Sequence, residues 1–224
     1  MPDLTTTLRQ RAYRVRRYAL RMGEVQGQGY IGQALGWADV LAVAYGHALN
    51  YRADDPTWEG RDRFLLSHGH YAIAFYAVLI EAGIIAESEL ETYGSDDSRL
   101  PMSGMATYTP GMEMSGGSLG HGLPIAVGVA LTGRRTFVLV GDGELDEGSN
   151  WEAVQYAGRA RIQSLTAIVI DNASATYGWP GGIEERFALE GWRTRRVNGR
   201  DHDASEDALR EPGGPRCVVA EVRD

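Results

Sequence analysis

Asp142 closes the run Val138-Leu139-Val140-Gly141, and Asn172 closes the run Ala167-Ile168-Val169-Ile170-Asp171, thirty positions further along the chain. Both runs are short and apolar, of strand type, and parallel strands bring two such ends together in space. One oxygen ligand from each would then converge on a single point. Five acids, Asp142, Glu144, Asp146, Glu147 and Glu152, crowd this stretch, and no Lys or Arg occurs from Thr136 to Gly158. If Gly143 and a helix opening near Gly148 cradle an anionic phosphate, nothing in this loop can neutralise it except a metal cation. A hard cation takes carboxylate, amide and backbone oxygens in near-octahedral geometry, so the spacing reads as a magnesium-bridged diphosphate site. The same residues equally describe a Gly-Asp-Gly turn after a strand and an unrelated loop asparagine.

Composition narrows the setting. The chain has 224 residues, 43% of them hydrophobic, enough to bury a sizeable core as a single domain spanning 1–224. A net charge of −8 and a pI near 5.2 argue against nucleic acid or a membrane surface as partners. The first residues are polar and Arg-rich with no apolar signal core, and no stretch approaches a membrane span, so a cytoplasmic location is expected. Cys217, the one cysteine, lies in the apolar run Cys217-Val218-Val219-Ala220 and reads as a small core residue rather than a nucleophile. All 22 basic residues are Arg. The absence of lysine removes Walker-type nucleotide binding and every Schiff-base mechanism, because those chemistries need an amine.

The elements that must position Asp142 and Asn172 alternate along the chain. Amphipathic helices are predicted over 4–24 and 38–49, joined by a glycine-rich loop at 27–32. A short strand, 63–67, hands over at His68-Gly69-His70 to a helix over 71–82, and 87–93 is a further short helix. Residues 94–119, rich in Gly, Ser, Met and Pro, are too long for a simple connector and form a candidate functional loop. Helix 120–132, strand 136–140, helix 149–161 and strand 165–170 make a βαβ run, completed by helix 184–189, strand 192–197, helix 204–210 and strand 216–221. Such units give an α/β fold, a parallel sheet flanked by helices with ligands outside its carboxyl edge.

Four motifs now fall in order: Phe64-Leu65-Leu66-Ser67-His68-Gly69-His70, Gly117-Ser118-Leu119-Gly120-His121-Gly122, Gly141-Asp142-Gly143-Glu144-Leu145-Asp146-Glu147-Gly148, and Asp171-Asn172. Together they resemble the thiamine-diphosphate domain of transketolases, most closely the amino-terminal subunit of split transketolases, over nearly the whole chain. The resemblance implies thiamine diphosphate and Mg2+ as cofactors. It makes Asp142, the side-chain oxygen of Asn172 and the backbone carbonyl of Ser174 the metal ligands. Gly143 would offer its amide to the diphosphate, with Glu144 beside it in the cofactor-binding set, and His70 would contact the same end. Gly117 and Leu119 match the loop near the aminopyrimidine ring, and His121 in that motif joins His70 among the catalytic candidates. Glu147 and Glu152 match acids at the family's subunit interface. The pyrimidine-binding domain, which supplies the glutamate that activates the cofactor, is expected on a partner chain in an α2β2 assembly.

The chain also departs from the family. The loop that usually reads Ser-Gly-His-x-Gly is here Gln28-Gly29-Tyr30-Ile31-Gly32, and Leu100-Pro101-Met102-Ser103 falls where the family has Leu-Pro-Gly-His. Tyr30 and Ser103 thus stand in the catalytic set where two imidazoles would be, and a phenol and a hydroxyl titrate far from neutral pH. The family's later histidine-bearing loop has no counterpart before Asp224. The implied activity is transfer of a two-carbon ketol unit from a ketose or unusual related donor to an aldehyde-type acceptor, as suits a biosynthetic enzyme. The alternatives are a 2-oxo-acid dehydrogenase first component and a non-catalytic cofactor-binding subunit. Retention of Asp142, Asn172, Gly143 and His70 counts against the last.

Overall fold

The computed structural model describes residues 4–176 and 178–222, and five parallel strands organise it. β1 (Arg63–Leu66), β2 (Thr136–Gly141), β3 (Leu165–Asp171), β4 (Arg193–Asn198) and β5 (Arg216–Glu221) lie in the order β1-β2-β3-β5-β4. Both faces of the inner strands are covered, which is why β2 and β3 read as continuous apolar runs. β4 (Arg193-Thr194-Arg195-Arg196-Val197-Asn198) is polar and mostly exposed, as suits an edge strand.

Alternation along each strand sorts side chains into two cores. Phe64, Leu66, Phe137, Leu139, Ile168, Ile170, Val218 and Ala220 pack against α1 (Leu4–Gln26), α2 (Ile31–Val43), α3 (Ala72–Glu81) and α7 (His202–Arg210). Leu65, Val138, Val140, Ala167, Val169, Cys217 and Val219 face α4 (Gly122–Ala130), α5 (Gly148–Ala160) and α6 (Gly182–Leu189). The result is a three-layer helix–sheet–helix sandwich. α1 presents Leu8, Ala12, Val15, Ala19 and Met22, one apolar residue every three or four positions, to α2 and α3. It ends at Gly27, whose φ of +72° turns the chain off the helix. Cys217 is fully buried, and that burial pushes its thiol well above the ordinary value, as a core cysteine requires. No helix among the described residues is long and apolar enough to cross a membrane.

The second helix differs from its sequence-based outline. α2 starts at Ile31, not 38, and takes in Gly32 and Gly36, while its last turn, Ala44–Ala48, widens so that Leu49 N donates to Ala44 O. Each glycine costs about 1 kcal/mol in a helix interior. Burial of Ala34, Trp37, Ala38 and Leu41 outweighs that cost, because the apolar stripe is continuous across the glycines. Residues 94–119 are irregular apart from turns, as their composition implies.

Candidate functional site

The site gathers at the carboxyl ends of three neighbouring strands. Register pairs Leu66 of β1 with Leu139 of β2, and Gly141 of β2 with Ile170 of β3, so the loops after these strands emerge side by side. The Asp142 amide donates to Ile170 O, and the Asp142 carboxylate reaches across to the loop after β3. There it accepts hydrogen bonds from Ser174 N at 2.8 Å, Ser174 Oγ at 2.6 Å and Ala175 N at 3.3 Å, besides Gly143 N at 2.9 Å. Asp142 and the Asn172 loop therefore meet, as the spacing implied. Asn172 Oδ1 is buried with no hydrogen-bond partner, an oxygen in want of a donor or a cation. The available oxygens, a carboxylate, an amide and the Ser174 carbonyl, are the set a hard cation takes. Three or more His, Cys, Asp or Glu do not cluster as a metal site among the described residues, so a cation here would take amide and backbone oxygens beside the one carboxylate of Asp142.

A cavity of about 270 Å³ opens beside these groups, lined by His68, His70, Leu119, Gly143, Asn172 and Ser174 among others. A Cβ on Gly143 would lie 3.1 Å from Ser174 Oγ and 3.3 Å from Ser174 O, so a side chain there would press on the loop after β3. Its amide donates to Asp142, not into the cavity. The wall on this side is the single turn Gly143–Asp146, and the start of α5 at Gly148 does not line the cavity, contrary to the cradle drawn from sequence. Residues 143–146 form an extra turn that pushes the longer helix away.

Glu144 ties three of the motifs together. Its side chain is buried, with Oε1 accepting from the Ser67 hydroxyl and from Gly120 N at 2.8 Å, and Oε2 lying 2.8 Å from His68 Nε2. Burial pushes this carboxyl up, but His68, Ser67 and the Gly120 N–H outweigh it and hold it below its ordinary range. The residue expected among the cofactor ligands thus lines the cavity but spends Oε1 on Ser67 and Gly120, while Oε2 has no hydrogen-bond partner. The glycines around it are packed backbone to backbone. A Cβ on Gly69 would strike the Gly116 carbonyl, and one on Gly122 would strike Ser67. His70 stays at the cavity, where burial and the neighbouring His68 hold its imidazole below the ordinary value against a smaller upward pull from Glu144.

The remaining candidates fall in two places. Tyr30, at the N-terminus of α2, sets its ring edge-on to His70 at 5.1 Å and to Tyr71 at 4.9 Å, at the mouth of the site. Ser103 Oγ lies beside Gly69 and Gly117, the second motif's first glycine, and Leu119 lines the cavity itself. His121 is elsewhere: it is exposed and lines a separate groove of about 410 Å³ between α4 and α5, shared with Glu152. The motif points its leucine inward, and the turn into α4 carries His121 out. Glu147 and Glu152 are exposed, a placement compatible with an interface. Trp37, His68 and Tyr71, not singled out from sequence, line the cavity as a packed aromatic wall, with Trp37 4.9 Å from Tyr71 and Tyr71 stacked on His68 at 5.2 Å. Placing α2's start correctly would have exposed Trp37, which lies seven residues, two turns, beyond Tyr30. A larger space of about 670 Å³, lined by Arg16, Gln33 and Arg200, adjoins the first and shares Trp37 and Asn172 with it.

Comparison with known proteins agrees with this geometry. Residues 9–212 match the family model for transketolase, thiamine diphosphate binding domain. The chain is 58% identical to a transketolase family protein of Sinorhizobium fredii, over 97% of its own length and 84% of the relative's. It is 36% identical to one subunit of the apulose-4-phosphate transketolase of Actinobacillus succinogenes, over 86% of this chain and 75% of that one. The crystal structure of transketolase from Campylobacter jejuni superposes with a TM-score of 0.89 at 26% identity, covering 96% of this chain but 37% of that one. The chain thus spans little over a third of that transketolase. With the motifs, the strand-end cavity and the matched residues in accord, the chain belongs to the transketolase family, through its thiamine diphosphate binding domain.

Proposed function

We propose that this chain is the diphosphate- and magnesium-binding subunit of a split transketolase. It transfers a two-carbon ketol unit from a ketose or related donor to an aldehyde-type acceptor, and it works only with a partner subunit that carries the pyrimidine-binding domain. The observation that carries the reading is the buried, unpartnered Oδ1 of Asn172 in the loop bonded to Asp142, at the edge of a cavity formed by three strand ends. Asp142, Asn172 Oδ1 and the Ser174 carbonyl would hold Mg2+, and His70 and the Gly143 turn would meet the diphosphate. Gly117 and Leu119 would lie toward the aminopyrimidine. Bound thiamine diphosphate supplies a thiazolium carbanion equivalent, and the protein supplies binding, orientation and proton transfer. Tyr30 and Ser103, where the family has histidines, would position the donor through a phenol and a hydroxyl.

The relative from Actinobacillus succinogenes is itself named as a subunit, which supports division of the enzyme between two chains. An α2β2 assembly and a cytoplasmic location go with this reading, the latter consistent with a single, buried cysteine. Mixing the chain with its pyrimidine-domain partner, thiamine diphosphate, Mg2+, a ketose and an aldehyde, and following the lengthened sugar by mass spectrometry, tests it. Transfer by the mixture and none by the chain alone is the expected result. Robust transfer by the chain alone contradicts the split reading.

A further inference from the structure

Two deeply buried side chains at the cavity carry ring nitrogens that no protein group meets. Trp37 is 1% exposed and His68 is 3% exposed, and neither Trp37 Nε1 nor His68 Nδ1 has a hydrogen-bond partner. Both residues line the 270 Å³ cavity. Buried polar atoms in folded proteins are almost always bonded, and beside the unpartnered oxygens of Glu144, Asp146 and Asn172 these two nitrogens are the cavity lining's unpartnered nitrogens among the described residues, so they point to a ligand that completes them. An indole N–H is a donor and nothing else. The His68 ring accepts the Gly141 backbone N–H on Nε2 at 2.8 Å, and in that tautomer the ring proton sits on Nδ1, making it a donor too. Glu144 approaches the same Nε2 side and leaves Nδ1 untouched. The two rings stand edge-to-face at 5.5 Å with Tyr71 packed against both, so neither donor is free to turn away.

The ligand these donors fit is an anion. The chain has no lysine, and the loop after β2 has no basic residue, so an anionic group here must find its donors on other elements. Resting on the cofactor reading above, we propose that Trp37 Nε1–H and His68 Nδ1–H are binding groups for the diphosphate end of the cofactor, reached from α2 and from the loop after β1. They would supply hydrogen bonds where a basic side chain is missing.

The test is calorimetric titration of the chain, assembled with its pyrimidine-domain partner, with magnesium pyrophosphate and with thiamine diphosphate plus Mg2+. Trp37→Phe keeps the ring and its edge contacts and deletes the N–H. His68→Gln reaches the Nε2 position with its amide and leaves Nδ1 empty, whereas His68→Asn does the reverse. Loss of a hydrogen bond to a charged group weakens binding on the order of tenfold or more. W37F and H68Q should each show that loss for both ligands, with H68N closer to the unmodified chain, a pattern that a merely structural role for His68 does not produce. Equal affinities for the unmodified chain, W37F and H68Q overturn the proposal while leaving the cofactor reading standing. Failure of the unmodified chain, assembled with its partner, to bind either ligand sinks the cofactor reading itself. If W37F folds poorly, the His68 pair carries the comparison alone.

Discussion

Asn172 is where chemistry and packing diverge most clearly. A buried amide oxygen without a partner costs about 1–3 kcal/mol, and nothing in the surrounding protein relieves it. Asn172→Ala should therefore leave the fold intact or slightly more stable while weakening Mg2+ binding about tenfold or more, read by calorimetry beside a thermal melt; unchanged Mg2+ affinity contradicts the ligand role. His70 gives a pH-dependent signature. Burial and His68 depress its pKa, so the folded chain binds fewer protons there than the unfolded chain does. Its contribution to stability is present above the ordinary histidine value of about 6.5 and is lost as pH falls through that value toward the folded midpoint. An NMR titration should place the His70 midpoint below that of an exposed histidine, and a midpoint at or above it would count against the buried placement. The meeting of Asp142 with the Asn172 loop was legible from their spacing, because strand ends leave a local signature, whereas His70 entered through the family resemblance. Trp37 and Tyr71 were not legible, since an aromatic residue in an apolar stretch looks the same whether it meets core or ligand, and His68, though inside the first motif, was given no role there.

The elements explain why some motif residues left the site. Glycine-rich segments 67–70 and 116–122 lie backbone against backbone, and Glu144 bridges them from the turn after β2. Glu144→Ala leaves the Gly120 N–H and the Ser67 hydroxyl without their acceptor, at about 1–3 kcal/mol for each group that finds no substitute. A urea melt should register a loss of at least that size for E144A and a smaller one for Glu144→Gln, and an unchanged midpoint for E144A would show that the carboxylate is not the tie described. The strands and the βαβ order were readable from apolar runs and their spacing, since a sheet buried on both faces has no polar positions to blur them. The start of α2 was not, because Gly32 and Gly36 are local helix breakers overruled by burial of Trp37 and its neighbours. His121 was misplaced for a related reason: spacing within a motif does not tell which residue of a turn faces inward.

The whole molecule is a three-layer sandwich whose working edge, on the proposed reading, holds one half of a cofactor site. Its sheet is well packed, and Phe137, fully buried near the start of β2, anchors it. Phe137→Ala should cost about 3–5 kcal/mol, seen as a large drop in melting temperature, and a near-neutral effect would contradict the packing described. At this scale the sequence carried the fold class and the family, through four ordered motifs, whereas none of those motifs names the donor or the acceptor. The central claim is that the edge formed by Asp142, Asn172 and Ser174 is a magnesium-dependent diphosphate site, and the measurement that meets it head-on is titration of thiamine diphosphate into the chain with Mg2+, with EDTA, and into Asp142→Ala with Mg2+. Binding that appears only with Mg2+ and disappears in D142A is the predicted result. Binding of equal strength in EDTA or in D142A would contradict it.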